Sequence, residues 1–306
     1  MLNSLDLVCL GNLCIDDIIL PNGTYHQGCF GGDAVYAAIG ASYWSDNVAI
    51  VAPTGNDLPI DSLRQLLTAR IKKMTLPIRD IPSIHNIVRY KNNDTREWTL
   101  LNNPEDFLPL SPTINDIPRE YLNSRAFLIL AMDLIAQELL IKNINHGIKV
   151  LDFQEDYIIG NEEKLFYLLK EVDIIIPSIE EIKLLYGNEN INLEKIIRDL
   201  SRKGPSIIVI KQGQNGSLIY DREINRFFQI PAYPTVVIDT TGAGDAYCGG
   251  FTASYLQTDD VLLAGLAGSI SASFAIEDFG FEHMLKISND LAHERLNKLK
   301  SKIVKY

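Results

Sequence analysis

No apolar run in the 306-residue chain reaches the ~18 residues that a bilayer-crossing helix needs, so no membrane span is expected. The opening MLNSLDLVCLGN has no basic n-region and passes straight into a strand pattern, which argues against a secretory signal. Cysteine is scarce. Cys9, Cys14, Cys29 and Cys248 form no C-x-x-C pair and have no histidine at zinc spacing, so neither a disulfide framework nor a zinc site is expected. They read as small core thiols in a reducing cytoplasm. Basic residues are outnumbered: 28 Lys and Arg face 39 Asp and Glu, a net charge of -11. That balance argues against a nucleic-acid backbone or an anionic membrane as partner, while a local positive site for a small anion stays compatible with it. The five histidines are scattered, and His283 and His293 read as solvated on a charged carboxy-terminal helix. No Ser-His-Asp spacing, internal repeat or low-complexity stretch is present.

Two common phosphate-binding fingerprints are also missing. No lysine with a following Ser or Thr stands at P-loop spacing from Gly244, and Tyr247 occupies the place of the last glycine of G-x-G-x-x-G. What is present is Val237-Ile238-Asp239-Thr240-Thr241-Gly242-Ala243-Gly244-Asp245-Ala246-Tyr247-Cys248-Gly249-Gly250-Phe251. An apolar run from Thr235 to Ile238 leads into a glycine turn that opens a helix of small residues. Glycines at a helix start let backbone N–H groups close around an anion, where the dipole adds roughly half a positive charge. Asp245 falls in the first turn of the same helix. A phosphate cradle beside a fixed carboxylate is what phosphoryl transfer to a hydroxyl requires. The same letters also describe a tight strand-to-helix turn with Asp245 complementing the dipole.

Elsewhere short apolar runs alternate with helical periodicity. Strands are expected at 5–10, 48–51, 127–130, 149–153, 174–176 and 207–210, with a hairpin over 216–220 and 226–230. Helices are expected at 34–44, 61–72, 134–145, 162–170, 178–186, 193–202, 244–256, 261–275 and 282–300. This rhythm predicts an α/β fold with a doubly wound, mainly parallel sheet and helices on both faces. The polar alternation of 87–101 predicts a half-exposed β-flap, and the proline-rich 104–118 a surface loop. Gly11–Asp16, Asp152, Pro177–Glu181, Gly213 and Asp239–Asp245 each follow an expected strand, so the chemistry converges on one sheet edge.

The string Asp239-Thr-Thr-Gly-Ala-Gly-Asp245, with its aromatic and glycine pair, resembles the second signature of the ribokinase-like (PfkB) carbohydrate kinases. The resemblance implies that Asp245 is the catalytic base and that Gly242, Ala243 and Gly244 form the anion hole. It implies a single ribokinase-like domain over 1–306 with a small β-strand lid made by about 12–27 and 84–102. Gly31-Gly32-Asp33 is similar to the family's amino-terminal glycine pair, with Tyr36 where the family usually has Asn; by itself it is a tight turn with a capping acid. Asp16, closing Gly11-x-x-x-x-Asp16, resembles the family's acceptor of sugar hydroxyls. By their place on the flap, Arg89, Arg96 and Trp98 are further candidates for substrate contact, or simply a solvated face. Ser178-Ile-Glu-Glu181 resembles N-x-x-E, in which the glutamate holds the hydration shell of magnesium; Ser178 is equally an N-cap.

Lys211, Gly213 and Gly216 resemble the nucleotide-side loop, a string that a hairpin turn would also produce. Thr241, Ser269 and Gly280 fall where the family flanks its nucleotide, and Asp152-Phe-Gln154 stands in place of Asp-x-Asn. Thr54-Gly-Asn-Asp57 resembles a structural turn. ATP and Mg²⁺ are the implied cofactors, with potassium near Asp239 and Gly280 as a further family feature. The expectation is an ATP-dependent kinase acting on a primary hydroxyl of a sugar-like molecule, with a homodimer through the lid. The alternatives are a nucleoside kinase that stacks a base on Tyr36 or Trp98, and a non-catalytic sugar or nucleotide sensor.

Overall fold

All four side chains of the first strand, β1 (Leu7–Leu10), are buried. Successive side chains of a strand point to opposite faces, so such a strand must be covered twice. Leu7 and Cys9 enter one apolar cluster, Val8 and Leu10 a second. The computed structural model describes residues 5–91, 96–187 and 192–302.

The chain continues through β2 (Cys14–Ile19), β3 (Tyr25–Gly31), α1 (Asp33–Ser42), β4 (Val48–Val51), α2 (Ile60–Leu67), β5 (Lys73–Thr75), β6 (Ile84–Tyr90) and β7 (Arg96–Leu100). There follow β8 (Ala126–Ile129), α3 (Leu134–Asn143), β9 (Ile148–Leu151), α4 (Glu162–Leu168), β10 (Ile174–Ile175), α5 (Ile179–Tyr186) and α6 (Leu193–Lys203). The last part holds β11 (Ile207–Lys211), β12 (Ser217–Asp221), β13 (Arg226–Ile230), α7 (Ala243–Thr258), α8 (Val261–Ala275) and α9 (Asn289–Lys302).

Nine strands form one sheet in the order β13-β12-β11-β10-β9-β8-β1-β4-β5. Pairing is parallel from β5 to β11 and antiparallel through the β12–β13 hairpin. Helices α1, α2, α7, α8 and α9 cover the face of Leu7 and Cys9, and α3 to α6 the face of Val8 and Leu10. Each large side chain sealed in these layers, such as Phe127 or Phe251, contributes about 1.5–3 kcal/mol. The sheet is thus doubly wound, as the sequence rhythm predicts.

A second sheet of four strands, in the order β3-β2-β6-β7, has its own small cluster of Cys14, Ile84 and Leu110. Its strands occupy the two segments read as a lid, except that β3 runs on through the glycine-dense 28–31. The β2–β3 register shifts between Asp16 and Ile18, an irregularity beside a candidate site residue.

Local chemistry sets several boundaries. Ser178 caps α5, accepting from Glu181 N at 3.1 Å while Glu181 returns a bond to Ser178 N, and Gly187 ends the helix in the left-handed conformation. Asp133 caps α3 by accepting from Ile135 N and Ala136 N, and Asp260 caps α8 by accepting from Leu262 N and Leu263 N, without a returned bond among the described residues. The turn at 54–57 is structural, with Asp57 accepting from Ser83 N and Ser83 Oγ from Gly55 N.

Four expectations are corrected. Residues 235–238 form no strand, because β13 already closes that edge of the sheet; Val236, Val237 and Ile238 are exposed, and the segment is held by Ile238 N donating to Ile276 O. The helix expected over 61–72 ends at Leu67, and its tail is a turn at 68–70 that leads to the edge strand β5. The last helix is broken, a 3₁₀ turn at Met284–Lys286 preceding α9. His283 lies before α9 and is not simply solvated, its Nε2 lying 2.6 Å from Phe274 O, whereas His293 is exposed on α9 as expected, edge-on to Trp44.

Candidate active site

Gly242 ends the loop before α7 with φ 73°, a left-handed conformation natural to glycine. A Cβ there would lie 2.2 Å from the Tyr36 ring, so the turn closes against that ring only without a side chain. Asp239, 2% exposed, accepts from Thr241 N at 2.7 Å and from the Tyr90 hydroxyl, which fixes the loop. The helical ladder starts with Ala246 N donating to Gly242 O; ahead of it, at the positive dipole end, Ala243 N donates to Thr240 O at 3.4 Å and the amides of Gly244 and Asp245 precede the ladder. Gly242, Ala243, Gly244 and Asp245 all line a single cavity of about 1270 Å³. That exceeds the roughly 300–1,000 Å³ of ordinary small-ligand sites and has room for two ligands side by side.

A charge cluster stands beside this helix start. Lys211 Nζ lies 2.7 Å from Asp152 Oδ2 and 3.6 Å from Cys248 Sγ, and the thiol in turn donates to Asp152 Oδ2 at 3.4 Å. The ammonium is 3.4 Å from where a Gly244 Cβ would stand, so it adds positive charge to the same anion position. Burial pulls the Lys211 ammonium down, but Asp152 more than reverses this and holds it well above the usual lysine range. Burial, with repulsion from Asp152, pushes the Glu181 carboxyl up to about 8. Asp152, Glu181 and Lys211 all line the cavity.

At the far end lie Asn12, Cys14, Asp33, Ile84, Asn86, Trp98, Leu100 and Phe107. Asp16 is just behind this wall, 5% exposed, accepting from Asn86 Nδ2 at 2.9 Å. A Cβ on Gly31 would meet its Oδ2 at 2.3 Å, so the glycine is what admits the carboxylate. Burial raises the Asp16 carboxyl, partly offset by Asn86. Asp33 Oδ1 accepts from Asn12 N at 2.6 Å and Ala34 N at 2.5 Å, while burial and then Asp245 raise its carboxyl well above the usual range. Asn86 of β6 lies beside Leu100 and Trp98 of β7 on one face of the flap sheet, since Asn86 pairs with Leu100 and Val88 with Trp98.

The third part of the cavity is a slot between Tyr233, Pro234, Thr235, Val237, Ala272 and Ile276, flanked by Gly213 and Gly216 at the β11–β12 turn. Ser269 Oγ donates to Pro231 O at 2.8 Å and accepts from Tyr233 N at 3.1 Å, holding one wall in place.

The sequence profile of the pfkB family carbohydrate kinases matches residues 5–287. The chain belongs to the pfkB family of carbohydrate kinases. It is accordingly an ATP-dependent phosphotransferase of the group that phosphorylates sugars or nucleosides. It is 28% identical over 257 residues to the cytidine kinase of Thermococcus kodakarensis, covering 82% of this chain and 88% of that one. The solved nucleoside kinase of Methanocaldococcus jannaschii, described as an archaeal member of the ribokinase family, superposes with a TM-score of 0.75 at 20% identity. That match covers 96% of this chain and 99% of the other. A ribokinase II described from E. coli, solved with ATP and Mg²⁺, superposes with a TM-score of 0.77 at 16% identity, covering 96% and 99%. At these identities the two structures speak for the fold.

Within this pfkB-family cavity the structure gathers Asp245, Gly242, Ala243, Gly244, Gly32, Lys211, Gly213, Gly216, Ser269 and Glu181. Asp16, Gly31, Thr241 and Asp239 lie directly behind its wall. Tyr36 stands apart: it is 3% exposed and does not line the cavity, and its ring supports Gly242 and meets Phe281 edge-on. Gly280 keeps a left-handed turn with nothing packed over its Cα. The backbone of Arg96 pairs with Tyr90 in the flap, while its side chain lies outside the described residues. Sequence reasoning missed Asn86 and Tyr90, whose partners are far away in the chain.

Proposed function

We propose that this kinase transfers the γ-phosphoryl group of ATP to the primary hydroxyl of a nucleoside. The observation that carries the reading is the far end of the cavity, where Asn86, beside Asp16, shares one face of the flap sheet with Leu100 and Trp98, and Phe107 lines the same space: a polar side next to an apolar side. The polar side suits ribose hydroxyls, since a carboxylate accepts and an amide both donates and accepts. The apolar side suits a flat base, and stacking on an aromatic is worth about 1–3 kcal/mol per base.

Asp245 takes the proton of the attacking hydroxyl, and the first-turn amides of α7 with Lys211 hold the charge that builds up on the phosphoryl oxygens. The slot of Tyr233, Val237, Ala272 and Ile276 holds the adenine of ATP, with Gly213 and Gly216 allowing close approach. Exposed apolar side chains at Val236 to Ile238 fit such a role better than a structural one. The β3-β2-β6-β7 sheet acts as the lid of a single domain and excludes water when acceptor is bound.

The residues present fit magnesium carried in with ATP. Asp152 Oδ1 is buried without a hydrogen-bond partner among the described residues, and Glu181 lies beside it, so both can accept from metal-bound water. Magnesium would neutralise phosphate charge in the transfer. Potassium is proposed at Asp239, a buried carboxylate one of whose oxygens accepts from Thr241 N and the Tyr90 hydroxyl. Turnover compared in potassium and sodium salts tests it. A homodimer through the lid's exposed Tyr25 and Leu101 is tested by sedimentation.

The deciding experiment measures ATP-dependent phosphorylation of cytidine, uridine and adenosine against ribose, deoxyribose and fructose. Nucleosides are expected to lead in kcat/KM by roughly ten-fold or more, the worth of one stacked base. A free sugar in the lead would return the acceptor to the sugar class.

A further inference from the structure

The flap and the anion-hole loop meet at one side chain, Tyr90, the last residue of β6. Its hydroxyl donates to Asp239 Oδ1 and lies 3.2 Å from Thr241 Oγ1. Asp239 Oδ1 also takes the Thr241 amide at 2.7 Å, so a flap hydroxyl and a loop N–H share one carboxylate oxygen. Thr241 directly precedes Gly242, the left-handed residue from which the anion-hole helix starts.

A second contact seats the same strand end. The Tyr90 ring meets Phe279 edge-on at 6.0 Å, and His26 of β3 stacks on Phe279 at 5.8 Å. Phe279 follows Ile276, whose carbonyl accepts from Ile238 N. Two flap strands therefore lean on a segment that itself holds the strand-like stretch leading to Asp239. None of these groups reaches the reacting atoms. They set where the loop sits when the flap is down.

We propose that Tyr90 is a positioning residue which ties the seating of the flap to the geometry of the anion-hole loop, through the carboxylate of Asp239. The proposal rests on the assignment of 242–245 as the phosphoryl site and of the flap as the acceptor cover. It does not depend on which acceptor is used. With the flap seated, the Tyr90 hydroxyl and the Thr241 amide together fix Asp239, and the first-turn amides of α7 are held ready. With the flap raised, the carboxylate loses one of those donors and the loop relaxes. Phosphoryl transfer then becomes favoured only when the acceptor is covered, which protects ATP from water.

Tyr90→Phe removes the hydroxyl and keeps the ring on Phe279. Thr241→Val removes the loop-side hydroxyl that meets Tyr90 and leaves every flap residue unchanged. Hydrogen exchange of the ligand-free proteins is read on peptides spanning 84–90 and 239–247. Tyr90→Phe is expected to speed exchange in both peptides, and cytidine phosphorylation to lose roughly ten- to a hundred-fold in kcat, the worth of a hydrogen bond to a charged group. The losses from Tyr90→Phe and Thr241→Val should fall short of additive in the double variant. Faster exchange confined to the flap, unchanged exchange in both peptides, or strictly additive losses would each overturn the coupling. Exchange needs no acceptor, so failure of cytidine as substrate leaves this test standing and counts only against the nucleoside assignment.

Discussion

Lys211 Nζ stands 2.7 Å from Asp152 Oδ2, with the two side chains only 13% and 4% exposed. A pair removed from water to this degree is costly to break, because the survivor keeps a charge with no partner.

Lys211→Met should therefore destabilise the chain by about 3–5 kcal/mol, whereas Lys211→Met with Asp152→Asn should recover most of that in chemical denaturation. Neither variant should regain turnover, since both lack the ammonium beside Gly244. Recovery of activity along with stability would make the pair purely structural.

Tyr36 sits behind Gly242, which gives opposite expectations for its ring and its hydroxyl. Tyr36→Phe keeps the ring and should leave kcat and the acceptor KM within about three-fold, the scale of one neutral hydrogen bond. Gly242→Ala drives a methyl into that ring and should abolish transfer. A large rise in acceptor KM for Tyr36→Phe would place the hydroxyl on the substrate after all.

Burial and the neighbouring Asp152 hold the Glu181 carboxyl up to about 8 against an ordinary 4.5. The folded chain keeps a proton there that the unfolded chain gives up near 4.5, so this group's contribution is full below about 4.5 and fades as pH rises to about 8. Glu181→Gln cannot titrate, and its stability should fall less than that of the wild type between those limits in urea melts. If the carboxylate serves metal-bound water, wild-type affinity for Mg–ATP should also rise with pH through about 8, and that rise should be absent in Glu181→Gln. Parallel pH profiles for the two proteins would contradict both statements.

The legible parts of the sequence were those whose cause is local. The turn Gly242-Ala243-Gly244-Asp245 that opens α7 is one contiguous string, because a helix start is made by successive residues. Ser178 with Glu181, and Gly187 after Tyr186, declare the ends of α5 within nine residues or so. Contacts between distant residues were not legible: Tyr90 and Asp239 are 149 positions apart, and Lys211 and Asp152 are 59 apart. Residues 235–238 misled for a related reason. An apolar run looks the same whether it is sealed in a sheet or left exposed outside it, and only the closed sheet edge at β13 tells them apart.

Asp245 as the proton acceptor is the claim on which the rest depends, and Asp245→Asn tests it most directly. The measurement is a rapid-quench single turnover, following the γ-phosphoryl group from labelled ATP to cytidine, or to the best acceptor of the panel. Transfer should slow by on the order of 10²–10⁴ while the ATP dissociation constant and the melting curve stay near wild type. Transfer at a near-normal rate in Asp245→Asn would contradict the account.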